Sequence, residues 1–249
     1  MSREEISIRT ADGNCRASVF TPPEGEGPWP AVIFYMDGLA IRPSLLDMGQ
    51  RMADDGYLVL LPDLFYRIGD YPPFDPKAVF ASGNVREALK DFFASTDNRR
   101  AGGPDTDAFL AWLDTRSDVA GHKVGVVGYC MGGGMALTAA GLHPDRVAAA
   151  ASFHGGNLAT DTALSPHLLA PKIAARVYIG VADNDHSYPP EMAERFNAAM
   201  DAAGVDYRAE LYEGAAHGWT QTDFPIYNEA ADQRHWRALF GLFDETLKG

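Results

Sequence analysis

The chain is poor in cysteine, in positive charge and in long apolar runs. Only two cysteines, Cys15 and Cys130, occur among 249 residues, which excludes the disulfide framework of small secreted domains and leaves reduced thiols as the expectation. No stretch approaches the roughly 20 apolar residues that span a bilayer. The first ten residues lack the basic cluster and apolar run of a secretory signal. A cytoplasmic chain with no membrane partner is therefore expected. Lysine and arginine total 21 against 34 aspartates and glutamates, a formal charge of −13. Such a surface repels phosphate backbones, so nucleic acid is not an expected partner. An anionic small substrate stays open, because one local arginine can outweigh a diffuse field that salt screens over about 8–10 Å. No His/Cys cluster has metal-ligand spacing, and no metal or cofactor is expected. Fixed-period repeats and low-complexity tracts are also missing.

What is present is apolar material arranged for an α/β sheet. The hydrophobic fraction is 46%, enough for a substantial core. Residues 4–9 and 15–20 flank the turn-rich stretch 11–14 and predict an N-terminal antiparallel hairpin. Continuously apolar runs at 31–35 and 57–61 read as strands buried on both faces. Further strands are predicted at 123–128, 147–153, 176–181 and 207–212. Helical periodicity marks 44–55, 84–95, 105–115, 131 to about 141, 190–203 and 227–247. Strands alternating with helix-length connections predict one mostly parallel, doubly wound domain over 1–249. The Pro/Gly/Asp-rich stretches 62–83 and 154–173 are candidate lid or substrate loops.

The most informative segment runs from Val124 to Leu137, where a strand turns within a few residues into a helix. Cys130 sits at the corner between Gly128 and Gly132. So sharp a turn needs glycine on both sides, since a Cβ there would strike neighbouring backbone. A thiol at this corner projects from the carboxyl edge of the sheet and lies at a helix N-terminus, where the dipole favours thiolate. The Met131 N–H is placed to receive an oxyanion. A phosphate-binding loop does not fit, because no lysine follows the glycines and their spacing misses the dinucleotide fingerprint.

A thiol nucleophile needs a base, and the base needs an orienting group. Of seven histidines, only His217 follows a late strand inside a short glycine-bounded loop, between Gly214 and Gly218. It also comes last in the nucleophile–acid–histidine order of α/β-hydrolases. His143 reads as a helix-end residue. Asp183 and Asp185 both follow an apolar strand and precede a helix. Asp185 is preferred for its spacing to Pro189, while Asp183 keeps the more usual offset from Gly180.

With these segments in place, the chain resembles the dienelactone hydrolase family of the α/β-hydrolase superfamily. The resemblance rests on Gly128-Tyr129-Cys130-Met131-Gly132-Gly133, on the Asp185 loop, on Gly214-Ala215-Ala216-His217-Gly218 and on Leu61-Pro62-Asp63-Leu64-Phe65-Tyr66-Arg67. It implies an α/β-hydrolase fold and hydrolysis of an activated ester or lactone by Cys130, His217 and Asp185 through a thioester. It also implies a carboxylate near the thiol and a second oxyanion N–H, places that Asp37 and Gly38 occupy; the family enzyme has glutamate where this chain has Asp37. Arg67 is placed to hold a substrate carboxylate, and Tyr129 and Trp219, with Tyr35 and Phe65, to line an apolar pocket. A general carboxylesterase or thioesterase on the same residues, and a redox-sensing or ligand-binding module built around Cys130, are the alternative readings. The expected partner is a small ester or lactone, and the expected assembly a monomer or weak homodimer.

Overall fold

The computed structural model describes residues 2–248. Eight strands form one sheet in the order β1-β2-β4-β3-β5-β6-β7-β8. Strands β1 (Ser2–Thr10) and β2 (Gly13–Thr21) form the N-terminal hairpin, and β2 runs antiparallel to β4 (Leu58–Pro62). From β4 onward the neighbours β3 (Ala31–Tyr35), β5 (Val124–Tyr129), β6 (Val147–Phe153), β7 (Arg176–Ala182) and β8 (Tyr207–Tyr212) are all parallel. Every residue of β3, β4 and β5 is buried. Their unbroken apolar composition thus reflects helices covering both faces of the sheet.

Helix α1 (Pro43–Asp54) opens with proline at its first position and follows β3. Between β4 and β5 lie the short helices α2 (Pro76–Ala81), α3 (Val85–Ala88), α4 (Lys90–Ser95) and α5 (Asn98–Arg100), then α6 (Thr106–Leu113). Helices α7 (Met131–Leu142), α8 (Pro190–Ala203) and α9 (Glu229–Leu247) complete the chain. None of the helices among the described residues is long and apolar enough to cross a membrane.

Two expectations for the segment after β4 need correction. The stretch 62–83 is not all loop: Asp75 accepts from the Lys77 N–H and caps α2, with Pro76 next. Such a cap and an N1 proline start a helix from a loop-like composition. The single helix expected over 84–95 breaks at Leu89 (φ −115°), whose side chain is 2% exposed. Turning Leu89 into the core, while Phe92 and Phe93 pack edge-on against Phe65, outweighs helical continuity.

The sheet brings the chemistry-bearing loops to one edge. Cys130 follows β5, Asp185 follows β7 and His217 follows β8, all at the carboxyl ends of parallel neighbours, where open α/β sheets place their ligands. The corner after β5 is held by contact between backbones. A Cβ on Gly128 would lie 1.9 Å from the Gly132 carbonyl oxygen, and one on Gly132 would lie 2.3 Å from the Tyr35 oxygen. No side chain can move aside to relieve either clash. Gly132→Ala is expected to cost about 1–3 kcal/mol or more, read as a lower urea midpoint; an unchanged midpoint would mean that β3 and α7 can separate without penalty.

Candidate active site

Cys130 occupies the corner with φ 54° and ψ −116°, outside the range that a cysteine ordinarily adopts. Its N–H donates to the Phe153 carbonyl at 3.1 Å, tying the strained residue to the end of β6. Its side chain is partly exposed, whereas Cys15 is wholly buried and burial pushes that thiol far above its ordinary range. Met131 begins α7, so its N–H has no carbonyl from a preceding turn to bond. The approach of Gly132 to the Tyr35 and Met36 carbonyls brings the turn that contains Gly38 against this corner.

His217 Nδ1 lies 2.6 Å from Asp185 Oδ2. With Nδ1–H donating to the carboxylate, Nε2 is the ring nitrogen left free, and the nearby Cys130 sulfur favours charge on the ring. Asp185 is steadied by Ser187, whose hydroxyl and N–H donate to its other oxygen at 2.6 and 2.8 Å. Asp183 instead accepts from the Gly214 N–H at 2.9 Å, bracing the histidine loop. Burial opposes charge on His217, but the facing Cys130 sulfur and Asp185 carboxylate raise it from 6.5 to about 10. Burial would raise Asp185, yet its bonds to His217 and Ser187 hold it below the ordinary carboxylate value.

His154 stands behind His217. Its ring is completely buried, edge-on to His217 at 5.2 Å and to Trp219 at 4.9 Å, and its Nε2 meets the Thr220 hydroxyl at 2.8 Å. Burial, with His217 and His235 nearby, holds it well below its ordinary value, so it presents a neutral ring to His217. Sequence patterning offered no sign of this, since Phe153-His154-Gly155 reads as an ordinary strand end.

Several expected site residues are engaged elsewhere. Asp37 is 1% exposed, and both of its oxygens accept from Arg42 at 2.8 Å, while Oδ1 also accepts from the Leu39 N–H. It is a buried partner of Arg42 and a brace for its own turn. Tyr129 is fully buried with its hydroxyl 2.7 Å from His235 Nε2, and Trp219 is fully buried and stacked on Tyr212, so neither offers a face to substrate. Tyr35 and Phe65 are likewise at 0% exposure. Alternation within a strand does not reveal which aromatic faces a pocket. Arg67 donates to Asp105 at 2.7 and 3.0 Å and to Asp12 at 2.8 Å. Its partner Asp105 is 1% exposed, so the arginine neutralises a buried carboxylate. Among the described residues no three His, Cys, Asp or Glu side chains are grouped to hold a metal ion.

A mostly parallel sheet with a strained nucleophile-type corner after β5 and a histidine loop after β8 defines the α/β-hydrolase class. Residues 15–247 match the profile of the Dienelactone hydrolase family, and the chain belongs to that family. A Synechocystis protein provisionally named a carboxymethylenebutenolidase is 27% identical, over 93% of this chain and 92% of its own. The carboxymethylenebutenolidase of Pseudomonas putida is 25% identical, with coverage of 93% and 92%. A Klebsiella pneumoniae structure provisionally described as a dienelactone hydrolase superposes with a TM-score of 0.82 at 23% identity, covering 98% of each chain.

Two outcomes test this geometry. A histidine raised from 6.5 to about 10 in the folded state contributes stability that is complete below pH 6.5 and lost as pH rises through about 10. The stability difference between wild type and His217→Gln, from urea melts, should therefore shrink across that window; a constant difference would refute the ion-pairing. Arg67→Met leaves Asp105 buried without its cation and is expected to cost about 3–5 kcal/mol, whereas a residue serving only substrate would leave the urea midpoint in place.

Proposed function

We propose that this protein hydrolyses a small activated ester or lactone, with Cys130 as nucleophile, His217 as general base and acid, and Asp185 orienting the imidazole. The observation that carries this reading is the Asp185–His217 contact of 2.6 Å, on a ring whose charge is also favoured by Cys130, a cysteine held at positive φ. The carboxylate fixes the tautomer and stabilises the imidazolium.

His217 holds the Cys130 proton as an imidazolium, and the paired thiolate sulfur attacks the carbonyl carbon. Negative charge develops on the carbonyl oxygen, where the N–H groups of Met131 and Gly38 receive it; each such donor is typically worth about 2.7–4 kcal/mol. The C–O bond then breaks, His217 returns the proton to the departing oxygen, and a thioester remains on Cys130. Water, deprotonated by His217, attacks the thioester, and the carboxylic acid leaves as the Cys130 thiolate departs, restoring its pair with the protonated His217.

A thiolate leaves a tetrahedral centre more readily than an alkoxide does. Productive substrates therefore carry a stabilised leaving oxygen, as in an enol lactone or an aryl ester. The carboxymethylenebutenolidase relatives act on a substrate of the lactone kind by name, which supports the same class here.

Cys130→Ala and His217→Ala should each lower kcat on p-nitrophenyl acetate and on an enol lactone by about 10³-fold or more. Asp185→Asn should lower it by roughly 10²–10⁴-fold. Mass spectrometry of wild type during turnover should place an acyl group on the Cys130 peptide. Full activity in Cys130→Ala would end the proposal.

A further inference from the structure

The two least exposed arginines on the loops after β3 and β4 are already occupied. The Arg42 side chain is 2% exposed and binds Asp37 through both terminal nitrogens, Asp223 through Nε at 2.6 Å, and Gln221 at 3.2 Å. The flat face of its guanidinium lies over the Phe224 ring at 4.9 Å. The Arg67 side chain, 11% exposed, is committed to Asp105 and Asp12. Four carboxylates thus enclose two guanidiniums and leave an excess of negative charge. The other basic residues of the segment between β4 and α6, Lys77, Arg86, Lys90, Arg99 and Arg100, are exposed to solvent, where their charge is screened.

The surfaces beside the proposed reacting atoms are apolar. A Cβ on Gly38 would lie 2.8 Å from the Phe93 ring, so that ring covers the turn carrying the second oxyanion donor. On the other side, a Cβ on Gly218, next to His217, would lie 2.9 Å from Phe224 and 3.1 Å from Ile226. Phe80 of α2 packs edge-on against Phe224 with ring centroids 4.8 Å apart. Phe80, Phe93 and Phe224 all remain partly exposed, so they have faces left for a ligand.

We infer that the substrate of this site is an uncharged ester or lactone with an apolar acyl portion, seated between Phe93 and Phe224, and that a substrate bearing a free carboxylate is disfavoured. The inference rests on the hydrolytic reading above and sharpens it, because the relatives' name specifies a carboxymethylene group, for which there is no unengaged buried cation among the described residues. A carboxylate entering here would give up its hydration and meet phenylalanine rings and carboxylate-saturated arginines.

The test compares p-nitrophenyl hexanoate with mono-p-nitrophenyl adipate, which share the leaving group and acyl length and differ in a terminal carboxylate, each corrected for spontaneous hydrolysis. Wild type should favour the hexanoate by at least about tenfold in kcat/KM. Phe224→Ala should raise KM for the hexanoate several-fold, with Phe224→Leu restoring most of the loss. Asp223→Asn, which releases part of Arg42, should narrow the preference by improving the adipate rate, a gain that misfolding cannot mimic. Equal or better turnover of the adipate by wild type would overturn the inference and leave the Cys130 chemistry standing, as would an unchanged ratio in Asp223→Asn. Hydrolysis of neither ester would remove the functional reading and the inference together.

Discussion

At the β5–α7 corner, main-chain atoms pack directly against main-chain atoms. Gly128 lies against the Gly132 carbonyl, and Gly132 against the carbonyls at the end of β3. Two parallel strands and one helix start are thereby drawn closer than any side chain would permit. That approach gives Cys130 its positive φ, directs its sulfur away from the sheet edge, and brings the Gly38 turn alongside the first N–H of α7. The helix pressed into this corner is buried along almost its whole length because its glycines and alanines leave room for β5 and β6.

Charge is arranged around that corner by paired groups. Ser187 holds Asp185, Asp185 holds His217, and the neutral ring of His154 lies edge-on behind that histidine. A second network, centred on Arg42, joins Asp37 on the turn after β3 to Asp223 and Gln221 beyond the histidine loop. It connects the two loops that flank Cys130 in space. Through these bonds Asp37, beside the Gly38 turn, serves as a structural link. The aspartate's shorter stem suits that role, since Arg42 follows within the same loop and lies close enough for a two-pronged contact.

Strand positions were legible where burial on both faces leaves an uninterrupted apolar run, as in residues 31–35 and 57–61. The corner was legible because only glycine tolerates its geometry. Helix continuity between β4 and β5 was less so, since the break at Leu89 is decided by aromatic packing from distant parts of the chain. Arg67 and Asp37 illustrate the same limit for charge. A sequence displays an arginine or an aspartate, but its partner is set by the fold: Asp105 for Arg67 and Arg42 for Asp37.

The sequence by itself determined the α/β alternation, the family, and the candidates Cys130, His217 and either Asp183 or Asp185, because glycine spacing and chain order are local properties. The tertiary structure alone decided which of Asp183 and Asp185 faces the histidine, that His154 lies behind it, and that Tyr129 and Trp219 belong to the core. It also decided that the arginines beside the site are already paired. These outcomes depend on contacts between residues far apart in the chain, whose distances are set only when the sheet is assembled.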